Sequence, residues 1–281
     1  MIVNYPRMRR RAAWPDDLDT ALEFVSDTPF SIKAGWSKIT GNVWDGTMQY
    51  TNGRGWKTWN SEEIQSSELD GKYFLYLRGI NNHRVTDEKD EDYGSTSWKL
   101  SGNSISCNGN IEKLLDWQTV QAGEHPGMSN SCFEDMFQAC KALITAPDLP
   151  SIDLEDSCYS SMFSGCTNLI TAPALPATTL ASSCYQFMFA GCASLTTLHR
   201  LPATDLPYSC YDRMYAGCKK IKLSSEKTEQ YSVPFRIPPQ GTAAISGSFA
   251  VNQMFYGTGG TFTGTPEINT TYYMDESNEI V

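Results

Sequence analysis

Apolar and polar positions in this chain fall into two regimes. From Ser131 to Ile221 they repeat as SCFEDMFQACKAL, SCYSSMFSGCTNL, SCYQFMFAGCASL and SCYDRMYAGCKKI, so Cys132, Cys158, Cys184 and Cys210 recur at one fixed interval. A second cysteine follows at i+8 from each, at Cys140, Cys166, Cys192 and Cys218. A fixed period of this length predicts units that bury an apolar face only by stacking on their neighbours. Within a unit Cys, Met and Cys stand at i, i+4 and i+8 (Cys158, Met162, Cys166), flanked by Tyr159 and Phe163. That spacing predicts a short helix with one apolar stripe. Ser131, Ser157, Ser183 and Ser209 read as its N-caps, and Gly165, Gly191 and Gly217 as the turn at its end. Leu149, Leu175 and Leu201, each followed by proline, predict an extended return.

Residues 27–108 carry the other regime. Short alternating runs such as KYFLYLRGI and STSWKLSG are separated by turn signals at Asp45-Gly46, Asn52-Gly53 and Asp70-Gly71. This predicts a β-sandwich-like domain. Trp36, Trp44, Trp56, Trp59 and Trp98 lie in it. They suggest either sugar stacking or core filling, and core filling is the reading preferred. The acidic run Thr86 to Asp92 lacks the spacing of a calcium loop and reads as a solvated turn.

Residues 1–26 form an N-terminal arm, basic through Arg7, Arg9, Arg10 and Arg11, with Trp14 opening a short helix through Phe24. Asn110 to Asp116 reads as a capped helix that closes the first face of the repeats. Met254-Phe255-Tyr256-Gly257-Thr258 is a fifth, degenerate unit with Thr258 in place of the second cysteine, and residues 275–281 read as a loose tail. The fold expected is therefore α+β. An all-β N-terminal domain precedes a leucine-rich-repeat-type solenoid of 26-residue period spanning 109–281 with its caps.

The repeats CYSSMFSGCTNLITAPALPATTLA and CYQFMFAGCASLTTLHRLPATDLP resemble the BspA-like leucine-rich repeats of gut bacteria and their phages. The ending MFYGTGGTFTGTPEINTTYYM and the segments GKYFLYLRGINN and GNIEKLLDW are similar to the parts that close and precede such repeats. The resemblance covers roughly residues 45 to 275. It implies surface and virion proteins that bind a partner, and it carries no catalytic residues.

Charge narrows the function. Twenty-two Lys and Arg against 32 Asp and Glu give a net charge of −10, which argues against nucleic-acid binding. No run of about 18 apolar residues predicts a membrane span. The first residues lack an apolar core of signal-peptide length. A chain native from Met1 is then made in the cytosol, which suits a virion protein; a bacterial surface adhesin missing its signal, or a cytosolic scaffold, is the alternative. On a helix the paired cysteines would lie about 12 Å apart, too far for a disulfide, so buried free thiols are expected. His83, His125 and His199 are scattered, and the cysteine spacing is not that of zinc sites. No phosphate loop, dinucleotide fingerprint or nucleophile elbow is present. A non-enzymatic protein with no metal or cofactor is expected.

Binding should fall where repeats keep their frame but change their residue. The candidates are Phe187 and Arg213 on the helix face, which also holds Glu134, Asp135, Ser160, Ser161, Gln186 and Asp212, and Asp148 and Arg200 on the return. Their partner would be a host-surface protein or glycan. Arg7, Arg9, Arg10, Arg11 and Trp14 are the candidate docking residues for other virion proteins. Self-association is compatible with all of this.

Overall fold

The computed structural model describes residues 14–35, 44–86 and 97–281. The first strands are β1 (Leu22–Ser26), β2 (Ser31–Ala34), β3 (Thr47–Thr51), β4 (Lys57–Thr58) and β5 (Ile64–Gln65). They are followed by β6 (Ser67–Leu69), β7 (Lys72–Ile80), β8 (Trp98–Ser101), β9 (Ile105–Asn108) and β10 (Leu143–Thr145). The alternating run at β7 becomes the axis of a seven-stranded sheet, ordered β10-β9-β1-β7-β3-β4 with β6 also on β7. β2 pairs with β5 and β8 in a separate sheet.

The sheet extends beyond residues 27–108 at both ends. The helix expected through Phe24 is instead a 3-10 turn, Leu18–Thr20, followed by β1, whose Leu22 and Phe24 are fully buried. At the other end β10, inside the first repeat, runs parallel to β9. The two regimes therefore share one core. Trp44, Trp59 and Trp98 form a chain of ring contacts at 5.0 and 5.1 Å, and Trp98 meets Phe137 of the first repeat at 6.3 Å. These three tryptophans fill the core. Trp36 and the acidic run from Asp87 onward lie outside the described residues.

The α+β expectation with a leucine-rich-repeat-type solenoid is overturned. Among the described residues the only α-helix is α1 (Lys113–Gln121); the other regular elements are the 3-10 turn and short strands in several sheets, and the repeats contain no helix. Asn110 Oδ1 accepts the Glu112 N–H at 2.7 Å, and α1 leaves helical geometry at Asp116. It packs across β7, and the residues before it also bond to the first repeat, where the Ile111 N–H donates to the Asp148 carbonyl at 3.1 Å.

Each segment read as a helix is a chain of tight turns. Every fourth residue takes positive φ: Ser131, Asp135 and Ala139 in the first repeat, Ser157, Ser161 and Gly165 in the second. Helical N–H groups would bond four residues back. Here alternate N–H groups point along the stack to the next repeat. Ser131 donates to Asp156 (2.8 Å), Phe133 to Cys158 (3.0 Å), Asp135 to Ser160 (2.9 Å), Phe137 to Met162 (2.9 Å) and Ala139 to Ser164 (2.7 Å). The intervening N–H groups close turns within the repeat, as Glu134 does to Ser131 at 3.0 Å. The backbone is satisfied without a helix, and the serines read as caps are ladder donors.

The ladder bonds join equivalent positions of successive repeats, which puts like over like. Phe133, Tyr159, Tyr185 and Tyr211 stack at 5.7–5.9 Å, and Phe137, Phe163, Phe189, Tyr215 and Phe255 at 5.5–5.9 Å. The second cysteines sit beneath the rings. Cys166 Sγ donates to the Phe137 carbonyl at 3.0 Å, Cys192 to Phe163 at 3.1 Å and Cys218 to Phe189 at 3.0 Å. All nine cysteines are free and buried. Burial pushes the Cys140 thiol up to about 11 and the Cys192 thiol up to about 12.

The later strands are β11 (Thr197–Leu198), β12 (Asp205–Leu206), β13 (Leu223–Ser224), β14 (Tyr231–Arg236), β15 (Ala244–Ile245), β16 (Thr271–Asp275) and β17 (Glu279–Ile280). The fifth unit is a fifth rung: Phe255 extends one ring stack, Val251 stands where the other units carry Tyr or Phe, and Thr258 Oγ1 donates to the Phe255 carbonyl at 2.9 Å. Residues 275–281 are not a loose tail. β17 pairs parallel to β11, and buried Asn278 donates to the carbonyls of Thr196 (3.0 Å) and Lys220 (2.8 Å).

Candidate interaction surface

One residue that changes at every rung sits in one backbone setting. Asp135, Ser161, Phe187, Arg213 and Gln253 all take positive φ, from 47° to 56°, at the second turn of their rungs. Non-glycine residues adopt this conformation at some cost, and the ladder bonds on both sides hold them there. Arg213 places its guanidinium 5.3 Å from the centre of the Phe187 ring, and its Nε donates to Gln253 Oε1 at 2.8 Å. Both side chains are half-buried, Phe187 less exposed than its sequence position suggests. Beneath them Asp212 is buried and accepts from Gln186 Nε2 at 3.0 Å and Asn252 Nδ2 at 2.9 Å. A cation over an aromatic face at such a site contributes about 0.5–1 kcal/mol. Three rungs thus hold Phe187 and Arg213 in one orientation.

The expected outward face is only partly outward. Asp135, Ser160 and Asp212 are buried, while Ser161, Phe187 and Arg213 in the frame of Asp135, and Glu134 and Gln186 in the frame of Ser160 and Asp212, are half-buried. Arg200 is exposed, its N–H donating to the Val281 carbonyl at 2.7 Å, and it lines a cavity of about 420 Å³ with His199, Phe235 and Arg236. His199 is fully buried, stacked 4.9 Å from the Phe189 ring, its Nδ1 on the Tyr215 hydroxyl; burial holds its pKa at about 3. Asp148 is exposed and structural in its backbone, which bridges Gly109 (2.9 Å) and Ile111 (3.1 Å). Among the described residues no contact joins Arg200 or Asp148 to the Phe187–Arg213 pair.

Of the candidate docking residues, Arg7, Arg9, Arg10 and Arg11 lie outside the described residues. Trp14 is half-buried, edge-on to Tyr76 at 5.7 Å, and lines a cavity of about 600 Å³ with Glu23, Lys72 and Phe74.

Two clusters escaped the sequence reading. Buried Glu112 accepts from His125 Nδ1 at 2.9 Å and from Ser151 Oγ at 2.6 Å. The hydroxyl also meets Tyr159 Oη at 3.1 Å, so it is engaged away from the imidazole and makes no Ser–His pair. Tyr208, Ile245 and Phe249 form an exposed apolar cluster at the last rung. Its signal was Phe249, which occupies the frame position held by serine in four rungs and becomes legible only once the four-residue period is read. No family model, no curated protein and no solved structure matches this chain.

Proposed function

We propose that this chain is a non-enzymatic virion surface protein of a phage, a head-fibre, capsid-decoration or tail-fibre component. It docks on other virion proteins through its N-terminal part and presents its repeats to a host-surface protein or glycan. One observation carries the reading. Inward positions repeat Cys, Met and aromatic residues, while the column Asp135, Ser161, Phe187, Arg213 and Gln253, buried at Asp135 and half-buried at the other four, keeps one backbone geometry and changes its side chain at every step. A fixed frame with varied outward residues is what a recognition surface needs, and aromatic residues with arginine are enriched at interface hot spots. The resemblance of the repeat motifs to BspA-like phage and bacterial proteins agrees with this reading. Raised thiol pKa values disfavour cysteine chemistry, and the acidic balance disfavours nucleic acid.

The test has two arms. Purified virions should contain the protein, and an intact particle lacking it would refute the location. Replacing Phe187 and Arg213 together by Ser, with the fold unchanged by circular dichroism, should weaken binding to host cells by about tenfold or more, as loss of a hot spot does. Undiminished binding would move the contact away from this column.

A further inference from the structure

Each rung gives five backbone N–H groups to carbonyls of the next. In the fourth rung Ser209 donates to Ser248 (3.0 Å), Tyr211 to Ala250 (2.8 Å), Arg213 to Asn252 (2.9 Å), Tyr215 to Met254 (3.0 Å) and Gly217 to Tyr256 (2.8 Å). The fifth rung has no sixth to receive its donors. The C-terminal segment covers its middle, where Gln253 donates to Thr265 Oγ1 (2.8 Å) and Phe255 to the Gly264 carbonyl (2.9 Å). The N–H groups of Phe249, Val251 and Gly257, equivalent to those of Ser209, Tyr211 and Gly217, have no acceptor among the described residues, and the first two lie side by side. Buried backbone donors in native proteins are nearly always paired, and exposed ones bond to water until a partner replaces it. Beside this gap lie Phe249 (59% exposed), Ile245 (51%) and Tyr208 (50%), with Tyr208 edge-on to Phe249 at 6.1 Å.

We propose that this open half-edge is a docking site for a segment of a partner polypeptide. Its main-chain carbonyls accept from Phe249 and Val251, and an apolar side chain rests on Phe249, Tyr208 and Ile245. The rung interfaces within the chain define the occupant, because the same row of donors is filled four times by alternate carbonyls of a segment running in the same direction. The partner segment therefore runs parallel to the fifth rung and offers a carbonyl at every second residue, as in peptide capture at an open strand edge.

A second copy of this chain does not fit. The open row carries donors, so two such edges face donor to donor. At the far end of the stack the Cys132 and Met136 carbonyls already accept from Val85, Thr86 and Trp98, which blocks head-to-tail growth.

The inference is independent of the virion reading. Its probe is a synthetic peptide, DSCYSSMFSGC, the rung sequence of residues 156–166, kept reduced and titrated into the full chain under NMR observation. The Phe249 and Val251 amides should shift most, and their exchange with solvent should slow by about tenfold or more at saturation. A scrambled peptide should do neither. Tyr208→Ser with Phe249→Ser, melting unchanged, should weaken binding by about tenfold. If that pair unfolds the chain, Ile245→Ser at the exposed rim should weaken it in the same direction. The proposal is overturned if the rung peptide does not bind at about 1 mM, the weak limit for so small a contact. It is equally overturned if other amides respond, or if the Phe249 and Val251 amides are already protected in the free chain.

Discussion

Phe189→Ala tests the stacking argument where it is strongest. The Phe189 ring is fully buried and parallel to Phe163 at 5.6 Å, to Tyr215 at 5.9 Å and to His199 at 4.9 Å. Truncating a buried phenylalanine costs about 3–5 kcal/mol through lost transfer free energy and the cavity left behind. Aromatic pairs add about 0.5–1.5 kcal/mol beyond area, so a ring with three partners belongs in the upper half of that range. Neither neighbouring rung can close the gap, because ladder bonds fix their spacing. At about 2–4 °C per kcal/mol for a chain of this size, the melting temperature should fall by about 8–20 °C. Phe189→Leu keeps most of the volume and should cost about 1–3 kcal/mol, the share owed to lost ring contacts. Urea unfolding followed by tryptophan fluorescence gives both values. A loss below about 1 kcal/mol for the alanine variant would place the ring outside a rigid core and refute the stack as a source of stability.

Other outcomes follow from burial. His199 keeps a pKa of about 3 when folded against 6.5 unfolded, so the unfolded chain binds the extra proton first as pH falls. Stability should therefore decline from about pH 6.5 toward pH 3, and His199→Gln should flatten that decline; parallel urea midpoints from pH 7 to pH 4 for both proteins would contradict it. The thiols should resist alkylation in the native chain, since burial keeps Cys140 near 11 and Cys192 near 12, while all nine react after denaturation; rapid native labelling of the repeats would count against it. Deleting residues 1–26 should unfold the protein, because it removes β1 with its buried Leu22 and Phe24. A soluble truncated chain with unchanged circular dichroism would show that β1 is replaceable.

The repeat frame was legible in the sequence. The fixed period, the inward Cys, Met and aromatic positions, the degenerate fifth unit and the β character of residues 27–108 all follow from apolar spacing. Cys132, Met136 and Cys140, with Phe133 and Phe137 beside them, fit one face of a short helix as well as they fit a turn every four residues. The two differ in drift. An α-helix slips about 40° for each four-residue step, so a strictly four-residue pattern favours turns, but two steps are too few to separate them by periodicity. Tertiary structure decided the matter, because positive φ at the non-glycine Ser157 and Ser161 is held by N–H groups that find carbonyls in the next rung, a whole repeat further along the chain. No local propensity encodes that bond. The same holds for β1 and β17, short segments whose partners β7 and β11 are remote in sequence. It holds for the Phe187–Arg213 pair as well, one repeat apart in the chain and in contact only because one rung lies on another. Apolar spacing determines which residues go inside; which backbone carries them there depends on where each N–H finds its acceptor, and in this chain most acceptors are remote.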